Sequence, residues 1–124
     1  MIQAFTAFMD CLLRPKLTIL WTTHGSRAAV DRFHMLAGIA KLPKWSSHVR
    51  RVVHSAGDQR IEFGNGSRII FQPRSAWHGS GFSNVDTLVL DEAELLTDDM
   101  EDDLAAMQCG VANPETIRIG GGDD

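Results

Sequence analysis

The chain has 124 residues, 44% of them hydrophobic and 23% charged, with a formal net charge of −4. That length sets a single domain, and the composition is that of an ordinary globular chain. The acidic balance speaks against a dedicated nucleic-acid grip, which carries a net basic charge. Cys11 and Cys109 are far apart and lack metal-ligand spacing. They predict buried thiols rather than a disulfide, and so a reducing compartment. No apolar run is long enough to span a bilayer, and the N-terminus lacks a basic start and cleavage site. The expectation is a soluble, cytoplasmic protein with no membrane partner.

In chain order, residues 2–13 carry apolar side chains at 2, 5, 8, 9, 12 and 13, one broad stripe on a helix. No capping residue precedes this helix, as though its beginning had been cut off; Pro15 stops it. Residues 17–22 (LTILWT) predict a buried strand. Residues 23–26 turn the chain, with Ser26 placed to cap a helix over 27–40 whose apolar positions are 29, 30, 33, 36, 37 and 40. Residues 42–48 form a loop. Residues 49–54 and 60–63 are short strands, Gly64-Asn65-Gly66 signals a hairpin turn, and 67–72 return as the partner strand.

Residues 73–84 predict an ordered loop, because Trp77 and Phe82 need cover. The run Thr87-Leu88-Val89-Leu90 is a strand buried on both faces. A helix follows, with Asp98 and Glu101 spaced as a capping box, Met100, Leu104 and Met107 on its apolar face, and Gly110 at its end. After Asn113-Pro114, residues 116–119 make a last strand. Strands alternating with helices argue for an α/β domain: a mostly parallel sheet flanked by helices, with the hairpin as an antiparallel insertion or edge.

Asp91 and Glu92 follow the buried strand at once. Two explanations stand. At a strand's carboxyl end, where ligands bind in open α/β sheets, Asp91 could hold a hard cation such as Mg²⁺ while Glu92 orients or deprotonates a water. Alternatively, the pair is an acidic helix start that complements the helix dipole. The run Asp98, Asp99, Glu101, Asp102, Asp103 is not a metal site, since neighbouring helical positions point around the cylinder. His24, His34, His48, His54 and His78 show no ligand spacing. Trp21, Trp45 and Trp77 are packing anchors, though Trp45 beside Lys44 and Arg50 leaves DNA contact open.

Four stretches in series resemble one family, the ATPase domain of tailed-phage terminase large subunits. LTILWTTH at 17–24 resembles the strand after the nucleotide-binding helix. IEFGNGSRIIFQPRS at 61–75 resembles the family hairpin. GSGFSNVDTLVLDEAE at 79–94 resembles the Gly-Phe-Ser loop and Walker B strand. NPETIRIGGG at 113–122 resembles the strand of the coupling motif. The resemblance implies a P-loop NTPase-like sheet in which Asp91 holds the Mg²⁺ of ATP, usually through water, and Glu92 activates the hydrolytic water. It implies double-stranded DNA, the portal protein and the small terminase subunit as partners in the intact motor, in the cytoplasm of a phage-infected or lysogenic host.

The chain departs from the family pattern in several places. The 124 residues contain no Gly-rich turn followed by Lys and Ser/Thr, the stretch whose backbone N–H groups cradle phosphates. In the family that stretch precedes the helix of residues 2–13, so a partial ATPase domain over 1–124 is expected, with weak ATP binding of its own. Self-association is expected where a sheet edge is left uncovered. The nuclease domain of the family has no counterpart here. Ser80 stands where relatives commonly place an arginine, leaving Arg74 as the candidate to stabilise transition-state charge. Glycines 120–122 replace the usual hydroxyl residue of the coupling strand. The expected function is a fragment of a DNA-packaging ATPase. A catalytically silent prophage remnant or protein-binding module is the first alternative. A superfamily-two helicase fragment, suggested by Asp91-Glu92-Ala93-Glu94, ranks below.

Overall fold

The computed structural model describes residues 2–55, 57–74 and 84–120. Its elements in chain order are helix α1 (Ile2–Leu13), strand β1 (Thr18–Thr23), helix α2 (Ser26–Ala40), strands β2 (Val49–Val53), β3 (Gln59–Phe63), β4 (Arg68–Pro73) and β5 (Thr87–Asp91), helix α3 (Asp98–Ala105) and strand β6 (Glu115–Ile119). The six strands form one sheet in the order β2-β3-β4-β1-β5-β6. β4, β1, β5 and β6 run parallel, and β2 and β3 add on antiparallel beyond β4.

The interior strands β1 and β5 are buried along nearly their whole length because both faces are covered. All five residues of β5 are buried, as are the last five of β1. Successive side chains alternate between faces. Ile19, Trp21, Ile69, Phe71 and Val89 join Phe8 of α1 and Phe33 and Leu36 of α2 in the larger core cluster. Leu20, Ile70, Leu88 and Leu90 face the other way, against Leu104 of α3 and Met107. The result is three layers, with α1 and α2 on one face of the sheet and α3 on the other. No helix among the described residues is long and apolar enough to cross a membrane.

Several local expectations shift. β4 was expected only as the return strand of a hairpin. It pairs antiparallel with β3 and also parallel with β1, so it is an interior member of the sheet. Residues 69–71 of β4 are buried, and this apolar run satisfies both neighbours. Ser26 is the first residue of α2 rather than its cap. Gly25 occupies that place in extended backbone, with its carbonyl taken by the Thr23 hydroxyl at 2.7 Å. The cap of α3 is Thr97, whose hydroxyl accepts the Met100 N–H at 3.3 Å. Asp98 is therefore already helical, and Glu101 accepts from Arg118 of β6 instead of closing a capping box. Cys11 is buried as expected, but Cys109 is exposed, just past the end of the helical segment and outside the apolar stripe.

The β3–β4 turn is held unusually well. Asn65 Nδ2 donates to the Cys11 carbonyl at 2.7 Å. The Ser67 hydroxyl accepts the Leu17 N–H at 3.0 Å and donates to the Arg14 carbonyl. Gly66 has φ +90, a conformation that favours glycine, and a Cβ there would meet the Lys16 side chain at 3.3 Å, so that side chain would have to shift. Exposed large apolar side chains include Ile2, Phe5 and Leu13 of α1, whereas the β6 edge presents Glu115, Thr116 and Arg118.

Candidate functional site at the tip of β5

Four parallel strands end on one edge of the sheet, at Thr23, Pro73, Asp91 and Ile119. The sequence-predicted residues Asp91, Glu92 and Arg74 are brought together there. Asp91 follows Thr87 and Val89 in the strand alternation, so its carboxylate faces α2 and not α3. It is completely buried. Its Oδ2 accepts the Trp21 indole N–H at 3.0 Å and the Arg32 Nε–H at 2.6 Å. Its Oδ1 accepts the Glu92 backbone N–H at 2.9 Å.

Glu92 sits in the left-handed region, at φ +54 and ψ 47. That conformation costs a residue with a Cβ about 1–2 kcal/mol, and such strain persists where surrounding contacts over-determine it. Three contacts do so here. The backbone N–H is held by Asp91. The carbonyl accepts from Arg74 Nη2 at 3.1 Å, and side-chain Oε1 accepts the backbone N–H of His24 at 3.0 Å. The Glu92 side chain thus stands at the junction of the β1 and β5 tips, half-buried, while the carboxylate before it is sealed off.

Arg74 extends from the end of β4 across β1 to reach Glu92. Its Nη1 donates to Thr22 Oγ1 at 3.1 Å, and that hydroxyl donates onward to the Val89 carbonyl at 3.0 Å. The side chain is buried at 4% exposure, and among the described residues its Nε has no partner. Burial pushes the guanidinium down from its ordinary value, while Glu92, Asp91 and Glu94 push it back up. As arranged, Arg74 braces the main chain of Glu92 and lies inside the tip.

Sequence reasoning missed Arg32. It lies between Ala29, Phe33 and Leu36, all on the buried stripe of α2, at a spacing that puts it on or beside that stripe. A charge in such a place was the available signal that a buried counter-charge awaited it. Trp21 was taken as a packing anchor; it packs, being fully buried, and it also donates to Asp91. Trp45 packs edge-on against Phe5 and Phe8, with Lys44 Nζ 5.0 Å from its ring centre. Trp77, His78, Ser80, Phe82 and the Gly-Phe-Ser loop lie outside the described residues, as do Gly121 and Gly122. The acidic residues of α3 are not at this edge-facing cluster; Asp98, Asp99, Asp102 and Asp103 are exposed.

Asp91 and Glu92 put two carboxylates on adjacent residues at the tip, oxygen donors of the kind a hard cation takes. The positive charge beside Asp91 is supplied by Arg32. Among the described residues no three His, Cys, Asp or Glu side chains converge as a metal-holding group.

No protein-family model matches the chain, and no curated protein does. Solved structures do. The large terminase of bacteriophage HK97 superposes with a TM-score of 0.80 at 18% identity, over 96% of this chain and 26% of that one. The large terminase of a thermophilic bacteriophage, in complex with ADP, gives 0.68 at 16% identity, over 96% of this chain and 30% of that one. The ATPase domain of the Thermus phage P74-26 large terminase, an arginine mutant, gives 0.65 at 12% identity, over 94% of this chain and 53% of that one. The chain therefore has the fold of phage large terminase ATPase domains, a mixed six-stranded α/β sheet flanked by helices, and spans a quarter to a half of the length of these proteins.

Proposed function

We propose that these residues are part of the ATPase core of a phage DNA-packaging motor of the large-terminase type. The observation that carries this is the adjacent pair Asp91–Glu92 at the carboxyl tip of an interior parallel strand, the edge where open α/β sheets bind ligands. One relative of the same fold holds ADP, which makes a nucleoside triphosphate the substrate to test.

In this proposal Glu92 is the base that orients and deprotonates the attacking water. Its backbone is fixed on both sides and its carboxylate is anchored at one oxygen by His24; among the described residues the other oxygen has no hydrogen-bond donor and is the one that would face a water. Arg74 holds the Glu92 carbonyl and so positions the base; Thr22 relays that hold to β5. Asp91 supplies negative charge behind Glu92 and is the residue toward which a divalent cation would be drawn. When bound with ATP, Mg²⁺ neutralises charge on the phosphates, which is the main requirement of phosphoryl transfer. Double-stranded DNA, the portal protein and the small terminase subunit are the partners this reading gives the intact motor.

Steady-state phosphate release tests the proposal, both in the 124-residue chain and in any longer polypeptide that contains it. Glu92→Gln keeps the shape and removes the base, so release should fall about 10²- to 10⁴-fold. A wild-type rate equal to that of Glu92→Gln would favour the second reading, a silent binding module. One observation favours that alternative: both oxygens of Asp91 are already committed to protein donors.

A further inference from the structure

We propose that Arg32 is a built-in stand-in for the divalent cation at Asp91, so that guanidinium and metal occupy the tip in turn and never together. The inference rests on the reading above that Asp91 is a cation-seeking carboxylate. It begins from burial. A fully buried carboxylate is costly unless an opposite charge and hydrogen bonds satisfy it. Asp91 is 0% exposed and meets that requirement without any ion: Arg32 Nε at 2.6 Å supplies the charge, and Trp21 Nε1 at 3.0 Å and the Glu92 N–H at 2.9 Å supply the rest.

The two donors on Oδ2 differ in exposure. Trp21 is fully buried in the core. Arg32 keeps 18% of its side chain exposed at the margin of α2, and its charge is carried on a long stem that reaches toward water. A divalent ion arriving at Oδ2, directly or through a water, would stand within a few ångströms of a guanidinium of the same sign, which a weakly screened site does not tolerate. Arg32 must leave for the ion to enter. Its departure also removes a tether between α2 and the β5 tip, so cation occupancy is reported to a helix that packs on β1, β3, β4 and α1.

Mn²⁺ as a spectroscopic probe and thermal unfolding with Mg²⁺ test the exchange without reference to turnover. The unmodified chain should bind Mn²⁺ weakly, and its Tm should barely respond to millimolar Mg²⁺. Arg32→Gln should melt several degrees lower in metal-free buffer, bind Mn²⁺ about tenfold more tightly or better, and recover stability in Mg²⁺. Arg32→Lys restores a cation and should return the metal-insensitive behaviour. Arg32→Gln combined with Asp91→Asn should lose the metal response. Should Arg32→Gln fail to fold without metal, refolding in Mg²⁺ supports the exchange. Failure to refold in Mg²⁺ while the double variant folds overturns it, as does an Arg32→Gln protein that binds Mn²⁺ no better than the parent. None of these arms depends on ATP hydrolysis, so a silent Glu92 would sink the motor proposal and leave this one standing.

Discussion

Asp91 and the acids of α3 are the same chemistry a short way apart on the chain, and the fold treats them oppositely. Asp91 is sealed under α2 with three donors on its two oxygens. Asp98, Asp99, Asp102 and Asp103 face water on a helix whose only buried residue is Leu104. Strand and helix geometry make the difference. A strand tip in the middle of a sheet delivers its side chain into a gap between layers. An amphipathic helix turns most of its residues outward. An acidic composition therefore says little about a site until the element that carries it is known.

The contrast can be broken most severely at the buried end. Asp91→Ala removes the acceptor that Arg32 and Trp21 share and should cost about 3–5 kcal/mol, read by urea unfolding. Loss of less than about 1 kcal/mol would mean that Asp91 is as replaceable as an exposed acid. On α3, the hydroxyl of Thr97 matters more than any carboxylate nearby. Thr97→Ala should cost about 1 kcal/mol, while Asp98→Ala should not reproduce that loss.

Glu62 is the intermediate case, a carboxylate on β3 between two guanidiniums. Hydrogen bonds from Arg51 and then Arg60 hold its pKa down from an ordinary 4.5 to about 2. Because the folded value lies below the unfolded one, the contribution is whole above about 4.5 and drains away as pH falls toward about 2. Unfolding curves taken across that window should show a smaller acid loss in Glu62→Gln than in the parent. The smallest effect belongs to Asp103→Asn, expected to stay within about 0.5 kcal/mol of the parent in the same assay.

Much of this fold was legible in the chain. The apolar spacing gave α1 with the right ends, although its buried face is Ala4, Ala7, Phe8 and Cys11 and only Phe8 of the expected stripe is buried; the uninterrupted Thr87-Leu88-Val89-Leu90 run gave an interior strand, because it is covered on both faces. What stayed hidden depends on partners. Nothing local distinguishes Thr97 from Asp98 as a cap, since both can accept an N–H; the backbone turns one residue earlier. β4 reads as half of a hairpin because the turn is adjacent in sequence, whereas its parallel neighbour β1 lies 50 positions away in register, Thr18 against Arg68. Arg32 went unremarked because its acceptor is 59 residues distant.

The hairpin tip at Asn65 and Ser67 has a practical corollary. Surface turns are the usual places to graft a peptide, open a permuted terminus or let a protease nick. This one is also the clasp that fastens the last turn of α1 to the start of β1, through the carbonyls of Cys11 and Arg14 and the amide of Leu17. Cutting or lengthening it would loosen the last turn of α1, whose Phe8 and Cys11 stay in the core, so a label belongs elsewhere on the surface.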